Sequence, residues 1–547
     1  MTGDGSDDGT VDPALLHEAL EIINGSRPVI AEPALLARQR FNQATQLARD
    51  GRHDAAMLIF RQLAAAPDQV PPDQVPPDEV PPDIGLAATT AWVADAFARR
   101  SWPEVIEAEQ AGGHHLDALR RQAGRQFSQD AAAAERGRLA AMAAFAAAKA
   151  GSPETAVAIL ERGRTTMLAE RFRRQPRPAA ASTPGNPRVT YLVATPAGGL
   201  ALDSGGPQAA RTVWLERLGA PVFRDRVSSY FSALDGVRRN GALGMSAWQS
   251  EVAAMVAVLR DALAPLFSGP PDGPVALIPV GFLSVLPVAA AALGSAIPDR
   301  AVTILPSLGL DPGPMPAQPV DRVLSIADPS LPSARWEDTC VRGFFSTAVS
   351  TAAATAADVL AAVPAGGVVH LSCHAEVDIG APLRSAVILP GGVRLTVDDI
   401  LHARWSPPAV VVLSACESGV PGPYLLDEAI SLPAVFLAAG CQSVVGTLWP
   451  VEDLSAALIM LRFYYLWRHE HVPAPVALAR AQHWLRTTSD RDKCRFIETD
   501  LVAAAACGQA EATALADHLR ARSPSPAGNC HADPYYWAGF YFTGRAG

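Results

Sequence analysis

A histidine at position 374 and a cysteine at position 416 each stand where an apolar run gives way to polar residues. Val410-Val411-Val412-Leu413 is a run of four apolar residues, three of them β-branched. Such a run predicts a strand buried on both faces, as in a parallel sheet. It passes into Ser414-Ala415-Cys416 and then into the polar, loop-like Glu417-Ser418-Gly419. Upstream, Gly366-Gly367-Val368-Val369-His370-Leu371-Ser372-Cys373-His374 repeats the design, a glycine-bounded strand ending in a histidine. Ligands of open α/β sheets bind at the carboxyl ends of strands. Cys416 follows His374 by 42 residues, room enough for a crossover between parallel strands. If those strands are neighbours, an imidazole and a thiol meet at one sheet edge. That pairing is what an activated cysteine nucleophile requires, because the thiolate is the attacking form and needs a base beside it.

Each of these residues also has a plain packing role open to it. Free cysteines are among the most buried residues and are mostly inert. There are seven, at 340, 373, 416, 441, 494, 507 and 530. Cys373 precedes His374 directly and would point to the other face of a strand, which suits packing. Cys441 follows the helix-ending Gly440 and reads as structural. His370, four residues before His374 on the same face, would lie about 13 Å deeper in the sheet and suits a buried, hydrogen-bonded role. Glu376 and Asp378 either orient the histidine or solvate the loop, and solvation is the ordinary fate of charged loop residues. Glu417, Asp427 and Asp453 are candidate substrate contacts, with Glu428 beside them. Asp427 and Asp453 are equally well placed to cap helices.

The elements that must hold these residues follow from periodicity. Strands are predicted at 275–279, 302–305, 322–327, 367–373, 386–389, 409–414 and 443–449, and helices at 355–363, 427–439, 453–469 and 474–488. Strands alternating with helices argue for a mainly parallel sheet between helices. On the helix after Asp453, the residues Ala456, Met460, Phe463, Tyr464 and Trp467 form one apolar face, read as core. A helix from about 247 to 266 leads into this α/β part. Before it, Val189–Ala194 and Gly199–Leu202 read as a hairpin around Pro196-Ala197-Gly198.

The first third of the chain is helical in pattern. Residues 1–12 read as a disordered tail, 13–175 as a helical region, 176–244 as a linker and α/β lead-in, and 245–547 as the α/β domain. Gly51 ends one helix and Asp54 is placed to cap the next. The pair resembles a TPR-type hairpin, with Gly51, Ala55, Phe60 and Pro67 near the expected offsets. Gly151-Ser152-Pro153 supplies a second stop and start. Pro67 to Ile84 is a tandem repeat with a period of five, which fits no solenoid and reads as an extended, acidic, Pro-rich linker.

Bulk properties narrow the function. A length of 547 residues suits about two to four domains. The net charge is −10 and no Lys/Arg-rich tract occurs, so nucleic-acid binding is not expected. The cysteines are odd in number, irregularly spaced and without a C-x-x-C pair, which points to a reduced, cytoplasmic setting and to no metal. The acidic, polar start Met1–Asp8 is not a secretory signal. Gly273 to Pro298 carries no charge but contains Pro279, Gly281, Pro287 and Gly294, so a strand, a turn and a short helix explain it better than a membrane span. No G-x-G-x-x-G follows a strand, and no cofactor is expected.

His370–Ala375 (H-L-S-C-H-A) and Leu413–Gly419 (L-S-A-C-E-S-G) resemble the paired signatures of the CHAT domain, a caspase-like cysteine peptidase family of clan CD, related to caspases and separases and often preceded by TPR repeats. Five further segments match in order: Pro279–Pro287; Leu305-Pro306-Ser307 together with Ala327-Asp328-Pro329; Asp427–Gly440; Val444–Pro450; and Pro534–Phe540. Ala156–Met167 is similar to a segment that often precedes such domains. The resemblance implies a caspase-like α/β fold behind an all-α TPR-like region, and a His374–Cys416 dyad cutting a protein or peptide substrate. It also implies oxyanion donors at the backbone N–H groups of Ala375 and Cys416. Ala375 stands where many relatives have glycine, which adds a Cβ beside the scissile carbonyl while keeping the N–H. The helical region would then receive an activating protein partner. Two other readings remain: a binding scaffold of this fold that no longer cleaves, and a thiol acyltransferase or hydrolase of another class.

Overall fold

The computed structural model describes residues 32–65, 80–122, 126–162, 164, 188–204, 211–268, 275–293, 302–310, 320–349, 355–378, 382–403, 405–414, 431–523 and 525–544. Its helical region comprises Glu32–Arg49, His53–Ala64, Pro82–Ala98, Trp102–Gln122, Gln126–Lys149 and Pro153–Arg162, each packed on the next. Phe60, Trp92, Phe97, Phe145 and Leu160 are part of their common core. Gly51 takes the left-handed conformation that stops the first helix (φ 76°). The next helix begins at His53, so Asp54 is not the cap expected of it. It lies in the first turn behind Arg52, where its charge still faces the positive end of the helix. The Pro-rich repeat also ends earlier than expected. Pro82, Asp83 and Ile84 form the first turn of a helix, with Val80 and Ile84 buried. Proline fits there because a first-turn N–H has no helical partner to lose. Residues 13–31 and 66–79 lie outside the described residues.

The third and fourth helices approach closely. A Cβ on Gly85 would stand 2.2 Å from the His115 ring, and one on Gly112 would stand 2.2 Å from the Thr89 side chain. The crossing therefore depends on bare backbone at both positions. His115 is buried in it, with Nε2 3.1 Å from the Leu63 carbonyl.

The α/β part is built on strands β1 (Arg188–Thr195), β2 (Gly198–Asp203), β3 (Thr212–Leu215), β4 (Val275–Pro279), β5 (Val302–Ile304), β6 (Arg322–Ala327) and β7 (Thr347–Val349). There follow β8 (Val368–Ser372), β9 (His374–Glu376), β10 (Ala386–Leu389), β11 (Val393–Thr396), β12 (Val410–Leu413), β13 (Ser443–Thr447) and β14 (Phe540–Gly544). Eleven of them form one sheet in the order β3-β2-β1-β4-β5-β14-β13-β12-β8-β6-β7. Most pairs are parallel, and helices lie on both faces, as the alternating pattern predicted. The expected lead-in hairpin is part of this sheet, since β1 runs parallel to β4 from Arg188↔Val275 to Leu192↔Pro279. The strand expected at 386–389 is not: it lies in a separate antiparallel sheet, β11-β10-β9, inserted between β8 and β12. The expected helix 427–439 is described from Leu432 to Ala438, capped by Ser431. Asp427–Ile430 are outside the described residues. No helix among the described residues is long and apolar enough to cross a membrane, and Val275–Pro279 and Val288–Ala292 are the strand and short helix expected of the uncharged stretch.

One feature of the sheet is not visible in any local pattern. β14 runs parallel to β5 but antiparallel to β13. Apart from β2, which is antiparallel to β1 and β3, the strands on the two sides of the β13–β14 seam therefore form two parallel blocks of opposite direction. The carboxyl ends of β4 and β5 lie at the edge opposite to those of β6, β8 and β12. Alternate residues of β8 and β12 feed two cores. Val368, Val410 and Val412 face the large core, and Val369, Leu371, Val411 and Leu413 face a smaller one. All four residues of β12 are fully buried, which is why the run contains no polar residue. The helical region covers the corresponding face of the other block, packing on Tyr191, Val193, Leu200, Ala276 and Ile278. Arg164 fastens it there by donating to the carbonyls of Pro279 (3.1 Å) and Pro306 (2.9 Å), at the ends of β4 and β5.

Candidate functional site

β8 and β12 are parallel neighbours, in register from Val410↔Val368 to Leu413↔Leu371. The ladder continues past β12, where Ser414 N donates to the Leu371 carbonyl (3.0 Å). The strand ends that lead to His374 and to Cys416 therefore emerge side by side. Cys416, Glu417 and Asp427 themselves lie outside the described residues. On the other flank of β8, β6 is in register to Ala327↔Ser372, and Asp328 N donates to the Ser372 carbonyl (2.8 Å). Three carboxyl ends thus share one edge.

The chain bends at Cys373, between β8 and β9. His370 and His374 are therefore not on one continuous strand face, as a simple strand reading had them. Cys373 turns inward, fully buried, with Sγ 3.6 Å from the Ile326 carbonyl, and burial pushes its thiol far up. It packs, as expected. His374 opens β9 and is exposed, paired with Ile388 across the small sheet. Ala375 pairs with Val387 and is half-buried against the smaller core.

Sequence reasoning found no partner for His374 and considered Glu376 and Asp378. Glu376 is exposed and ion-paired with Arg394, and Asp378 N donates to Ser385 Oγ (3.0 Å). The group that reaches the imidazole is Ser330, with Oγ 3.1 Å from Nε2. It sits in the turn after β6, where its N–H donates to Asp328 Oδ1 (2.8 Å). The available signal was Ala327-Asp328-Pro329, whose next residue it is. Asp453, expected in the cleft or as a cap, is not the cap. Glu452 caps the helix Asp453–Tyr464, accepting from Ser455 N (2.7 Å). Asp453 Oδ2 instead accepts from Ser333 N (2.7 Å), pinning the far end of the Ser330 turn.

Beneath this edge lies a second, buried histidine. His370 Nε2 is 2.9 Å from Ser372 Oγ, and Nδ1 is 3.2 Å from the Tyr464 hydroxyl. Glu337 Oε1 lies 3.1 Å from Nε2 without hydrogen-bond alignment. All four residues are buried, which is the supporting role expected of His370.

Away from this edge, one cluster has the residue types of a metal site: ligand atoms of Asp490, Cys530 and His531 lie within 4.8 Å of one another. A buried ammonium already holds its centre. Lys493 Nζ donates to Asp490 Oδ1 (3.0 Å) and Asn529 Oδ1 and lies 3.5 Å from His531 Nδ1. The two donated bonds tie Asp490 to Asn529, so the cluster is a structural pin for the loop around 529–531. A surface hollow of about 480 Å³ beside β3, lined by Trp214, Arg217 and Asp261, contains none of the candidate residues.

His531 and His115 make folding sensitive to mild acid. Burial pushes both down to about 4, helped by Lys493 at the first and by His114 at the second. In the unfolded chain each titrates near 6.5. As pH falls from about 6.5 to about 4, the unfolded state takes up protons that the folded state refuses, so stability is lost through that window. The loss is about 3 kcal/mol per histidine. Urea unfolding at pH 7.5 and 4.5 should show a clearly lower midpoint at 4.5, and equal midpoints would contradict it.

Comparison with known proteins bears on the α/β part. The family model described as CHAT domain matches residues 252–545, more than half of the 547-residue chain. No curated protein matches. Among solved structures, two of Saccharomyces cerevisiae separase in complex with securin are similar. One has a TM-score of 0.47 at 9% identity, covering 90% of this chain and 42% of that one. The other has a TM-score of 0.46 at 9% identity, covering 97% and 45%. This chain thus spans less than half the length of those chains.

Proposed function

The chain belongs to the CHAT domain family, and from that premise we propose that it is a caspase-like cysteine endopeptidase cutting a specific partner protein. The observation that carries this reading is the β8–β12 pairing, in which Ser414 N–H meets the Leu371 carbonyl and sets the two candidate strand ends together. Cys416 sulfur attacks the peptide carbonyl. His374 takes the thiol proton and returns it to the leaving amine. The N–H groups of Ala375 and Cys416 stabilise the oxyanion. Glu417 and Asp427 would meet substrate side chains, and Asp453 would act only through the turn it pins.

Regulation through the helical region has a stated route. That region is seated on β1, β2 and β4, and Arg164 ties it to the edge opposite His374. A partner bound there acts on the site through the sheet and its β13–β14 seam.

The test is to express the wild type and Cys416→Ala in the native host and compare new protein N-termini under stress. Termini present only with the wild type are expected, and they would name the substrate and its cleavage residue. Identical sets at equal expression would overturn the peptidase reading in favour of a scaffold.

A further inference from the structure

We propose that Ser330 is the positioning residue of His374, the third member of the site, supplied by a third strand. This rests on reading His374 and Cys416 as the working pair. The hydroxyl stands 3.1 Å from Nε2, and the turn that carries it is held at both ends. Asp328 anchors its start, accepting from Ser330 N–H through the side chain and from Leu331 N–H (3.1 Å) through the carbonyl. Asp453 anchors its end through Ser333 N–H. Asp328 is in turn locked to β8, its N–H on the Ser372 carbonyl two residues before His374. The serine is thus registered against the histidine through the sheet ladder itself.

The chemistry follows from which nitrogen is occupied. With Ser330 Oγ accepting from Nε2–H, the neutral imidazole keeps its lone pair on Nδ1. The S–H bond of Cys416 then breaks as an N–H bond forms at Nδ1, leaving a thiolate and an imidazolium. The contact to Ser330 becomes charge-assisted and strengthens as that cation forms. Bound substrate would cover the serine and strengthen it further, because both partners are exposed in the free protein. The Glu376 carboxylate is ion-paired with Arg394, and the contact made to the imidazole is the Ser330 hydroxyl.

The test uses the full chain and iodoacetamide, with alkylation of Cys416 followed by peptide mass mapping from pH 5 to 10. The alkylation rate tracks the thiolate fraction. His374→Ala should move the Cys416 profile up towards an ordinary thiol, near 8.5. Ser330→Ala should move it part of the way, with the rate at pH 7 down about three- to tenfold and the thermal midpoint unchanged. Ser330→Thr, which keeps the hydroxyl, should restore the wild-type profile. A shift with His374→Ala but none with Ser330→Ala overturns the role of Ser330 alone. No shift with His374→Ala overturns the pairing and the serine's role with it.

Discussion

His374→Ala is expected to abolish cleavage, by about a thousandfold or more, with no loss of stability. The magnitude is that of removing the general acid–base residue from a working pair. The stability half follows from exposure: the side chain opens β9 at the surface, and among the described residues its hydrogen bond is to an exposed serine. His370→Ala should behave in the opposite way. That ring is fully buried and bonds Ser372 and Tyr464. Its removal leaves a cavity and a buried hydroxyl without a partner, beside the Glu337 carboxylate, at a cost of about 3 kcal/mol. Two histidines four residues apart are thus separable by pairing a substrate assay with urea unfolding. A His374→Ala protein that cleaves its substrate within a factor of ten of the wild type would refute the assignment.

Trp449→Ala is the substitution expected to cost the fold most. Trp449 follows β13 at the seam where the sheet reverses direction. It is fully buried, and its ring stands edge-on to Trp248, centroid to centroid 6.0 Å. Its indole N–H donates to the Tyr535 carbonyl (3.0 Å). Gly539 has no Cβ because one would lie 2.9 Å from that ring. The tryptophan therefore ties the helix Met245–Phe267, the exit of β13 and the approach to β14 together. Truncation removes a large apolar side chain and orphans a buried carbonyl, about 4–5 kcal/mol in all. Trp449→Phe, which keeps most of the volume but not the N–H, should lose about half of that. A change under about 1 kcal/mol for the alanine variant would mean that the seam relaxes freely, against close packing.

The same seam explains the match of Val444–Pro450 and Pro534–Phe540 to one family pattern. Leu448 N–H donates to the Gly539 carbonyl (2.9 Å), and Gln482 Nε2 donates to the carbonyls of Trp537 and Phe540. The two segments are distant in sequence and form one structural unit.

Local pattern determined much of this protein. The unbroken apolar run Val410–Leu413 requires two covered faces, and two covered faces require a sheet between layers. That placed Cys416 just past a buried strand and His374 just past its neighbour. The tandem glycine and proline punctuation placed the helix ends, with errors of a residue or two at Asp54 and Pro82 because capping is a local competition between adjacent starts. What the tertiary structure alone decided concerns direction and contact at long range. The reversal at β13–β14 depends on a strand contributed by the last residues of the chain, and no periodicity records which way a strand runs beside a distant neighbour. Ser330 meets His374 across 44 residues of sequence, through the register of β6 on β8, and a serine after a strand carries no signature of the ring it faces. The seating of the helical region is of the same kind. Its apolar faces were legible as faces, but Arg164 and the ends of β4 and β5 to which it donates were joined only by folding.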